Sequence, residues 1–424
     1  SSKKFIMERV TETLGDLYGM HWPYKQHKTS RDQKLLPYHN ELKKAGACFG
    51  VSGEYERPMW YVLNGETPEY KYSFDYQNFY PSVKFETKNT VTNVGLYELS
   101  PFSKYEIKGE LAHSELQRIC TANIKSETGR STYTQMLNEA GGIETDLTVI
   151  CIEENHFRII SSSATRTHDK AHILKHLSPK LELKDITDEL VCLGIFGPKS
   201  RDLISKISKD NFSNDSFKFG TGKYIQIGSK STWVQRLSYV GELGFEIYIN
   251  NIDAKEIYQL IIEEGKNHKL SHCGAHAMDT MRMESGFLHW GHDISPEENQ
   301  YESGLNFTIS YKKETNFIGK ESVLKIKDKK QVKRFIMLSL KDNSPGHPLL
   351  LHEEPIYLKD KIIGRTTSGN YSFNYKKNLS FGYINSDFTN EELMKMELYI
   401  EVAKKKYLAV VESIPLKDKR AKLL

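Results

Sequence analysis

Residues 138–149, NEAGGIETDLTV, predict a glycine turn followed by a strand in which two acids interrupt the apolar side chains. Successive side chains of an extended chain point to opposite faces. Ile143 therefore shares one face of the strand with Val149. Glu144 and Asp146 share the opposite face. The plain interpretation is an amphipathic strand with a solvated acidic face, and the alternative places Asp146 inside a cleft.

The composition describes a globular chain. At 424 residues it is long enough for two or three domains with a substantial core. A hydrophobic content of 38% and a charged content of 27% indicate a folded rather than a disordered protein. The formal charge of +4 comes from 59 basic and 55 acidic side chains that are largely interspersed, which gives no case for a nucleic-acid surface.

The cysteines and the apolar stretches of the sequence indicate the cellular compartment in which the protein is expected. Five cysteines are scattered, odd in number and never spaced as CxxC: Cys48, Cys120, Cys151, Cys192 and Cys273. This pattern argues against a disulfide framework or a structural zinc module and indicates a reducing compartment. No run approaches the roughly 18 apolar residues of a membrane helix, and SSKKFIMERV has no secretory apolar region. We therefore expect a cytoplasmic protein, or a mitochondrial matrix protein in a eukaryote.

Three parts of the chain differ in texture. Residues 1–85 are rich in aromatic residues, His and Pro, and predict an irregular N-terminal extension with a short helix within residues 32–44. Residues 86–328 alternate strand-like and helix-like stretches, such as HFRIISSS and THDKAHILKHLSP, which is typical of an α+β fold. Residues 329–424 hold short β-like runs separated by turns, which predict a small β-barrel or sandwich.

Two familiar kinds of site are not favoured. Three histidines recur at four-residue spacing on a predicted helix: His168, His172 and His176. Lysines beside them would repel a cation, so an exposed polar face is the favoured interpretation over a metal site. The GTGK of residues 220–223 lacks the rest of a phosphate-binding loop or dinucleotide fingerprint, and a strand-like YIQIG follows it. We expect no NAD or FAD site of the usual kind.

The stretch SYVGELGFEIYI predicts a second strand that bears an acid. Glu246 alternates with Phe245 and Ile247, so its carboxylate lies opposite the apolar face. A carboxylate there can accept two parallel N–H donors from a guanidine-like ring edge, such as a pterin or a guanine presents. The alternative is an exposed strand glutamate.

The stretch GAHAMDTMRMESGFLHWGHDI predicts a helix followed by a turn. Arg282 and Glu284 are two positions apart, about 200° around a helix, so they cannot both face one cleft. Arg282 can hold a carboxylate, which leaves Glu284 with a structural role. Trp290 can stack on a flat ligand, and a core position is the alternative.

Several stretches, in this order, resemble one family: VGLYELSPFSKYEIKG, LNEAGGIETDLTV, DITDELVCLGIFGP, SYVGELGFEIY, HAMDTMRMESGFLHWGHDI and IGRTTSGNYSFNYKKNLSFGYI. They are similar to the tetrahydrofolate-binding half of dimethylglycine and sarcosine dehydrogenases. That half is related to the glycine-cleavage T-protein (aminomethyltransferase) and to the folate-dependent demethylase of dimethylsulfoniopropionate. The earlier stretch from LYGMHWPYKQHK to YERPMWY resembles the segment that connects the flavin and folate domains of the dehydrogenases. The resemblance implies a ring-like α+β body with a C-terminal β-barrel, without a flavin domain.

The resemblance also implies roles for particular residues. The acid of the family's GG-x-x-x-D-L motif falls on Asp146, which in relatives sits near folate N10 and assists one-carbon transfer. The last glutamate of Y-x-G-E-x-G-x-E falls on Glu246, similar to the residue that holds the pterin, with Tyr239 beside it. A carboxylate at the ring's central hole can take a proton from a folate nitrogen or stabilise a cationic iminium.

Three further positions match less distinctive parts of the family pattern. Arg282 and Trp290 match positions that line the folate site. Tyr133, in STYTQMLNEAGG, matches a tyrosine that some relatives have. The resemblance therefore implies tetrahydrofolate as the cofactor and no metal.

One stretch departs from the T-protein pattern. Where T-proteins carry Asp-x-Ser-His-Met, residues 98–102 are ELSPF, as in the dehydrogenases, so a lipoyl-carried aminomethyl group is the less fitting substrate. The resemblance implies a one-carbon transferase that accepts a methylene unit from an N-methylglycine iminium, delivered by a separate flavoprotein, and forms 5,10-methylenetetrahydrofolate. The alternatives are direct methyl transfer from an onium donor such as dimethylsulfoniopropionate and a non-catalytic regulatory subunit, since one relative regulates pyruvate dehydrogenase phosphatase. Neither nucleic acid nor membrane is expected as a partner.

Overall fold

The computed structural model describes residues 2–416, so residues 417–424 of the predicted barrel domain lie outside the described part of the chain. The first elements are two helices and a hairpin: α1 (Lys3–Asp16), α2 (His39–Lys44), β1 (Ala47–Ser52) and β2 (Tyr55–Tyr61). Helix α2 confirms the short helix expected within residues 32–44. The expectation of an irregular N-terminal region is wrong for α1. Its start is set locally by the Ser2 side chain, which accepts the N–H of Phe5, and none of its residues is buried.

The middle of the chain alternates strands and helices. Its first half contains α3 (Tyr80–Thr92), β3 (Val94–Glu98), β4 (Ser103–Lys108), α4 (Ala112–Ile119), β5 (Ser131–Leu137), β6 (Ile143–Glu153), β7 (His156–Ser161), α5 (Arg166–His176) and β8 (Glu182–Asp185). Its second half contains β9 (Leu190–Phe196), α6 (Ser200–Ile207), β10 (Gly222–Ile227), β11 (Lys230–Gln235), β12 (Gly244–Asn250), α7 (Ala254–Gly265), β13 (Leu270–Cys273) and α8 (Ala275–Glu284). The alternation confirms the predicted α+β class, although the sequence did not predict α3.

These strands form two sheets. The first sheet has five strands in the order β5-β6-β7-β4-β8, and all neighbours are antiparallel. The second sheet has six strands in the order β10-β11-β12-β9-β3-β13, with a parallel pair only between β13 and β3. Strand β6 confirms the strand predicted for residues 143–149, and β12 confirms the strand that carries Glu246.

The two faces of β6 pack against different partners. Leu147 and Val149 belong to a core cluster that the first sheet forms with α4 and α5. Ile150, on the opposite face, packs in a cluster with Trp233 and Tyr248 of the second sheet. The acidic face of β6 is therefore directed toward the second sheet, because residues four apart on a strand share a face.

The C-terminal part forms the predicted barrel. After α9 (Lys320–Lys327), six strands close into a barrel in the order β14-β17-β16-β15-β18-β19, with the short α10 between β17 and β18. Their bounds are β14 (Lys333–Leu340), β15 (Pro355–Leu358), β16 (Lys361–Ser372), β17 (Lys377–Asn385), α10 (Asn390–Leu393), β18 (Leu398–Val402) and β19 (Lys405–Glu412). Helix α8 joins this barrel to the two sheets, since Met283 packs with Leu379 and Phe381 of β17. No helix within residues 2–416 is both long enough and apolar enough to span a bilayer.

Strand β2 approaches the start of α8 at Gly274. A Cβ atom at Gly274 would stand 2.2 Å from the backbone oxygen of Met59. The buried carboxyl group of Glu86, on α3, accepts the N–H groups of Gly274 and Tyr61, each at 2.9 Å. Burial raises the pKa of this carboxyl group to about 8. Strand β2, α3 and α8 are therefore held together at one point.

We expect Gly274→Ala to destabilise the fold by about 1–3 kcal/mol or more, because the added methyl group must push β2 away from α8. Thermal and urea unfolding of the full chain measure this loss. Gly15→Ala is the control, because nothing lies within 4 Å of a Cβ at that helical position, and it should leave stability unchanged or slightly raised. Equal stability of the two variants would contradict the close approach.

Candidate functional site

Asp146 lies on the face of β6 that is directed toward the second sheet. The residue is half-buried, and its Oδ1 accepts a hydrogen bond from Gln135 Nε2 at 2.8 Å. Burial raises the pKa of Asp146 to about 6, against the lowering effect of hydrogen bonds from Gln135 and Tyr133. A carboxylate that stays partly accessible and is nevertheless strongly desolvated lies against packed protein, here in the space between the two sheets, rather than in open solvent. This desolvation favours the alternative in which Asp146 lies in a cleft over a solvated outer face.

A buried polar chain orients this carboxylate. Gln135 stands directly opposite Asp146 in the β5–β6 ladder and is fully buried. Its Oε1 accepts hydrogen bonds from Gln300 Nε2 at 2.7 Å and from Thr308 Oγ1 at 2.6 Å. These two donors fix the amide so that its N–H group points at Asp146. Sequence reasoning missed Gln135. The signal that could have identified it is its polar side chain directly across the strand pair from Asp146.

Tyr239 packs against the same inter-sheet cluster, and we call the space between the sheets that Asp146 and Tyr239 border the cavity. Its hydroxyl donates to the backbone oxygen of Leu288 at 3.1 Å, and burial raises its pKa above the usual value. Asp146 and Asp279 are both within electrostatic range of this hydroxyl. The ring lies 5.9 Å from that of Phe287 in a stacked arrangement. Tyr239 therefore presents a flat, aromatic wall beside Asp146.

Arg282 is almost completely buried behind this wall. Only 3% of the residue is exposed, and its guanidinium pairs with Asp279 at 2.8 Å and Asp293 at 2.5 Å. A third bond goes to Ser368 Oγ, at 2.8 Å, on barrel strand β16. The side chain of Asp279 is 41% exposed, and despite burial, the Arg282 charge lowers its pKa. The accessible member of the pair is Asp279, which sequence reasoning missed. Arg282 itself is buried and holds this carboxylate in place.

The side chain of Trp290 also forms contacts within the protein. Its indole N–H donates to the backbone oxygen of Ile143 at 2.9 Å, which fixes the start of β6. Its ring lies 5.2 Å from that of His168, whose Nε2 is 3.2 Å from Glu144. The tryptophan therefore supports the strand that carries Asp146.

An exposed aromatic pair adjoins Asp146. Tyr133 is 38% exposed, and its ring centre lies 6.5 Å from that of Phe307, which is 73% exposed. Since Tyr133 is also within electrostatic range of Asp146, this pair lies next to the carboxylate and extends to the protein surface. We refer to Tyr133 and Phe307 as the aromatic mouth.

Glu246 lies on the facing sheet. It is half-buried, and Tyr248 OH donates to its Oε2 at 2.7 Å. Burial raises its pKa. Its neighbour across the ladder is Gly194, so no side chain stands beside the carboxylate on that strand. Glu246 shares a strand face with Tyr248, which packs against Ile150 of the acidic face of β6, so Glu246 and Asp146 occupy facing surfaces.

The candidate site thus combines a positioned acid of raised pKa, a second, half-buried acid on the opposite sheet and aromatic walls. Three predicted residues come together: Asp146, Tyr133 and Tyr239. Arg282 and Trp290 lie behind the lining and hold it. Across residues 2–416, no three side chains among His, Cys, Asp and Glu form a group that could hold a metal ion. The arrangement suits proton transfer next to a flat polar ligand.

Comparison with protein families gives matches along almost the whole chain. The GCVT N-terminal domain matches residues 38–313, and the glycine cleavage T-protein C-terminal barrel domain matches residues 333–418. The FAD dependent oxidoreductase central domain matches residues 1–35.

Two curated relatives and one solved structure extend these matches. A 4-methylaminobutanoate oxidase (formaldehyde-forming) from Paenarthrobacter nicotinovorans is 36% identical over 372 residues, covering 88% of this chain and 45% of that protein. The mitochondrial dimethylglycine dehydrogenase of Rattus norvegicus is 29% identical over 419 residues, covering 98% of this chain and 48% of that protein. The chain thus spans about half the length of these relatives. The aminomethyltransferase T of Bartonella henselae superposes with a TM-score of 0.77 at 21% identity, covering 91% of this chain and 99% of its own, and shows the same fold.

We expect Gln135→Leu to raise the pKa of Asp146 above about 6, because the variant removes a donor that stabilises the charged carboxylate. Carboxyl carbon NMR of selectively labelled aspartate measures the titration. Gln226→Leu, at an exposed position of β10, is the matched control and should leave it unchanged. If the titration of Asp146 is the same in Gln135→Leu and in the wild type, the Gln135 amide does not stabilise the charged carboxylate.

Proposed function

Because the chain belongs to the glycine cleavage T-protein family, we propose that it is a tetrahydrofolate-dependent one-carbon transferase. The observation that carries the proposal is the desolvated Asp146 carboxylate on one sheet, with the half-buried Glu246 on the strand face of the other sheet that packs toward it. The donor in this proposal is the iminium of an N-methylated amino acid such as dimethylglycine or sarcosine. The product is 5,10-methylenetetrahydrofolate.

The residues of the cavity suit a reduced pterin. The Glu246 carboxylate matches the two parallel N–H donors of the pterin's guanidine-like edge, and Tyr248 fixes its orientation. Tyr239 and Phe287 offer a flat surface for the ring, and the aromatic mouth suits the ring that follows N10. Arg282 acts as a positioning residue in this proposal, since it holds Asp279 at the cavity wall.

The proposed chemistry balances with one proton acceptor. Tetrahydrofolate supplies the two nitrogens that take the one-carbon unit. Each loses a proton as its bond to carbon forms, one proton goes to the departing amine, and the other needs a base. The Asp146 carboxylate takes that proton, and its negative charge stabilises the cationic donor before attack. Gln135 and Tyr133 keep the carboxylate in place and hold its pKa near neutrality, so that it can accept and release a proton.

We propose a separate flavoprotein as the partner that generates the iminium. Helix α1 offers a surface for such a contact, because four apolar side chains at helical spacing lie about half exposed or more along one side: Met7, Val10, Leu14 and Leu17. The two other proposals remain direct methyl transfer from an onium donor and a regulatory subunit without catalysis. The onium reaction would need no flavoprotein, and the regulatory subunit would need no folate.

We expect Asp146→Asn to lower the rate of one-carbon transfer by about 10² to 10⁴, with folate affinity retained, because the variant keeps the shape of the side chain and loses the base. Transfer is measured with dimethylglycine, sarcosine and an onium donor, each with tetrahydrofolate, in the presence and absence of a flavoprotein. The wild-type rate should rise with pH through about 6, as Asp146 loses its proton, and then level off.

The pH limb should vanish in Asp146→Asn. Glu153→Gln, an exposed acid on the same strand, is the matched control. Unchanged product formation by Asp146→Asn removes its catalytic role. If calorimetry detects no tetrahydrofolate binding by the wild-type chain, both enzyme proposals are contradicted and the regulatory proposal is favoured.

We expect Glu246→Gln to weaken tetrahydrofolate binding by about tenfold to a hundredfold, because an amide cannot accept two parallel N–H donors. At saturating folate the transfer step should be nearly unchanged, which separates this residue from Asp146. Calorimetric titration and single-turnover rates measure the two effects. If Glu246→Gln binds folate as tightly as the wild type, the pterin lies elsewhere.

A further inference from the structure

Arg57 is a half-buried cation near Tyr239, and no carboxylate among residues 2–416 forms an ion pair with it. It lies on β2 and is half-buried. Its Nε–H is shielded from solvent and has no hydrogen-bond partner among the described residues. One other contact of the guanidinium is weak, because Nη2 meets the sulfur of Met278 at 3.7 Å. The group also lies 5.8 Å from the ring centre of Phe102.

The acids near Arg57 already have other partners. Glu98 accepts the Ser100 N–H at 2.7 Å and the Tyr38 hydroxyl, and burial raises its pKa. Asp279 pairs with Arg282 and also accepts a hydrogen bond from Asn370 at 2.9 Å. Within residues 2–416, no carboxylate lies within the 4 Å of an ion pair with the Arg57 guanidinium.

Keeping Arg57 charged in this position is therefore unfavourable, because its guanidinium has lost part of its solvation. Burial lowers its pKa from the ordinary arginine value, although Glu98, Tyr239 and Asp279 favour its charge from a distance. Within residues 2–416, the contacts of the guanidinium are loose packing against Phe102 and a weak bond to the Met278 sulfur. A desolvated guanidinium with an unused N–H donor is a ready receptor for a carboxylate or phosphate, which it can bind with two parallel bonds.

The position of Arg57 relates it to the one-carbon site. Phe102 contacts both the guanidinium and Tyr239, whose ring centre lies 6.4 Å from that of Phe102. Tyr239 is within electrostatic range of both Arg57 and Asp146. The cation and the proposed base are therefore both close to Tyr239.

We propose that Arg57 binds the carboxylate of the one-carbon donor and thereby selects N-methylated amines that carry an acid. This inference rests on the proposed function and names the substrate class of that site. The bidentate pair holds one end of the donor, so that its N-methylene end reaches past Tyr239 toward Asp146.

A folate tail is the other source of a carboxylate near this cavity. The aromatic mouth beside Asp146 is the exposed end of the site, with Phe307 73% exposed. A tail that follows the ring after N10 would leave through this mouth, whereas Arg57 is half-buried and contacts Phe102 and Met278 rather than Tyr133 or Phe307. A small donor carboxylate therefore fits Arg57 better than the tail.

The test compares Arg57→Met with the wild-type full chain in calorimetric titrations. One ligand pair is N,N-dimethylglycine and its neutral isostere N,N-dimethylglycinamide, measured with tetrahydrofolate present and absent. The other pair is tetrahydrofolate and tetrahydropteroate, which lacks the glutamate. Arg57→Lys keeps the charge without the planar fork, and Arg365→Met, an exposed arginine on the barrel, is the matched control.

We expect the wild type to prefer dimethylglycine to the amide by about tenfold to a hundredfold. Arg57→Met should lose this preference, Arg57→Lys should keep part of it, and Arg365→Met should keep all of it. Folate affinity should be unchanged in every variant. The melting temperature of Arg57→Met should stay the same or rise, because the variant removes a buried charge that has no partner.

Three outcomes overturn the proposal. The first is a wild type that does not distinguish acid from amide, or an Arg57→Met variant that still does. The second is an Arg57→Met variant that binds tetrahydrofolate less tightly and tetrahydropteroate normally, which assigns the guanidinium to the folate tail. The third is a lower melting temperature with loss of all ligands, which assigns Arg57 a structural role. A wild type that binds dimethylglycine selectively but no folate contradicts the proposed function and leaves the carboxylate site standing.

Discussion

The packing of the first sheet against the second is the constraint on which the rest of this structure depends. Ile150, Trp233 and Tyr248 close the space between the sheets. Because side chains alternate along a strand, this contact also directs Asp146 and Glu246 into the same space. Two acids that would be solvated on separate sheets are thereby desolvated together, and the pKa of each is raised.

Desolvation alone would leave Asp146 neutral and loosely placed. The chain from Gln300 and Thr308 through Gln135 supplies a fixed donor, which offsets part of the burial cost and keeps the pKa of Asp146 at about 6. A similar device operates at the wall of the cavity, where buried Arg282 holds the accessible Asp279. In both cases the hydrogen bonds of a buried polar group fix the position of another side chain.

The N-terminal hairpin and the barrel complete the cavity from opposite ends of the chain. Gly274 permits β2 to lie against α8, which brings Arg57 close to Met278. Ser368 of the barrel reaches Arg282, one turn further along the same helix. Helix α8 therefore links the parts of the protein that surround Tyr239, and changes in its packing act on several walls of the site at once.

The sequence by itself determined the elements and part of the site. Apolar periodicity and turns gave β6, β12, α8 and the C-terminal barrel, because strand and helix periods are local properties. The family resemblance pointed to Asp146, Tyr133 and Tyr239, which the structure brings together. Only the tertiary structure decided that Asp146 faces the second sheet, that Arg282 and Trp290 bond to other parts of the protein, and that Gln135, Asp279 and Arg57 lie near these residues. The physical reason is that burial and hydrogen-bond partners depend on contacts such as that between Arg57 and Met278, which join residues far apart along the chain and leave no trace in the periodicity of either segment.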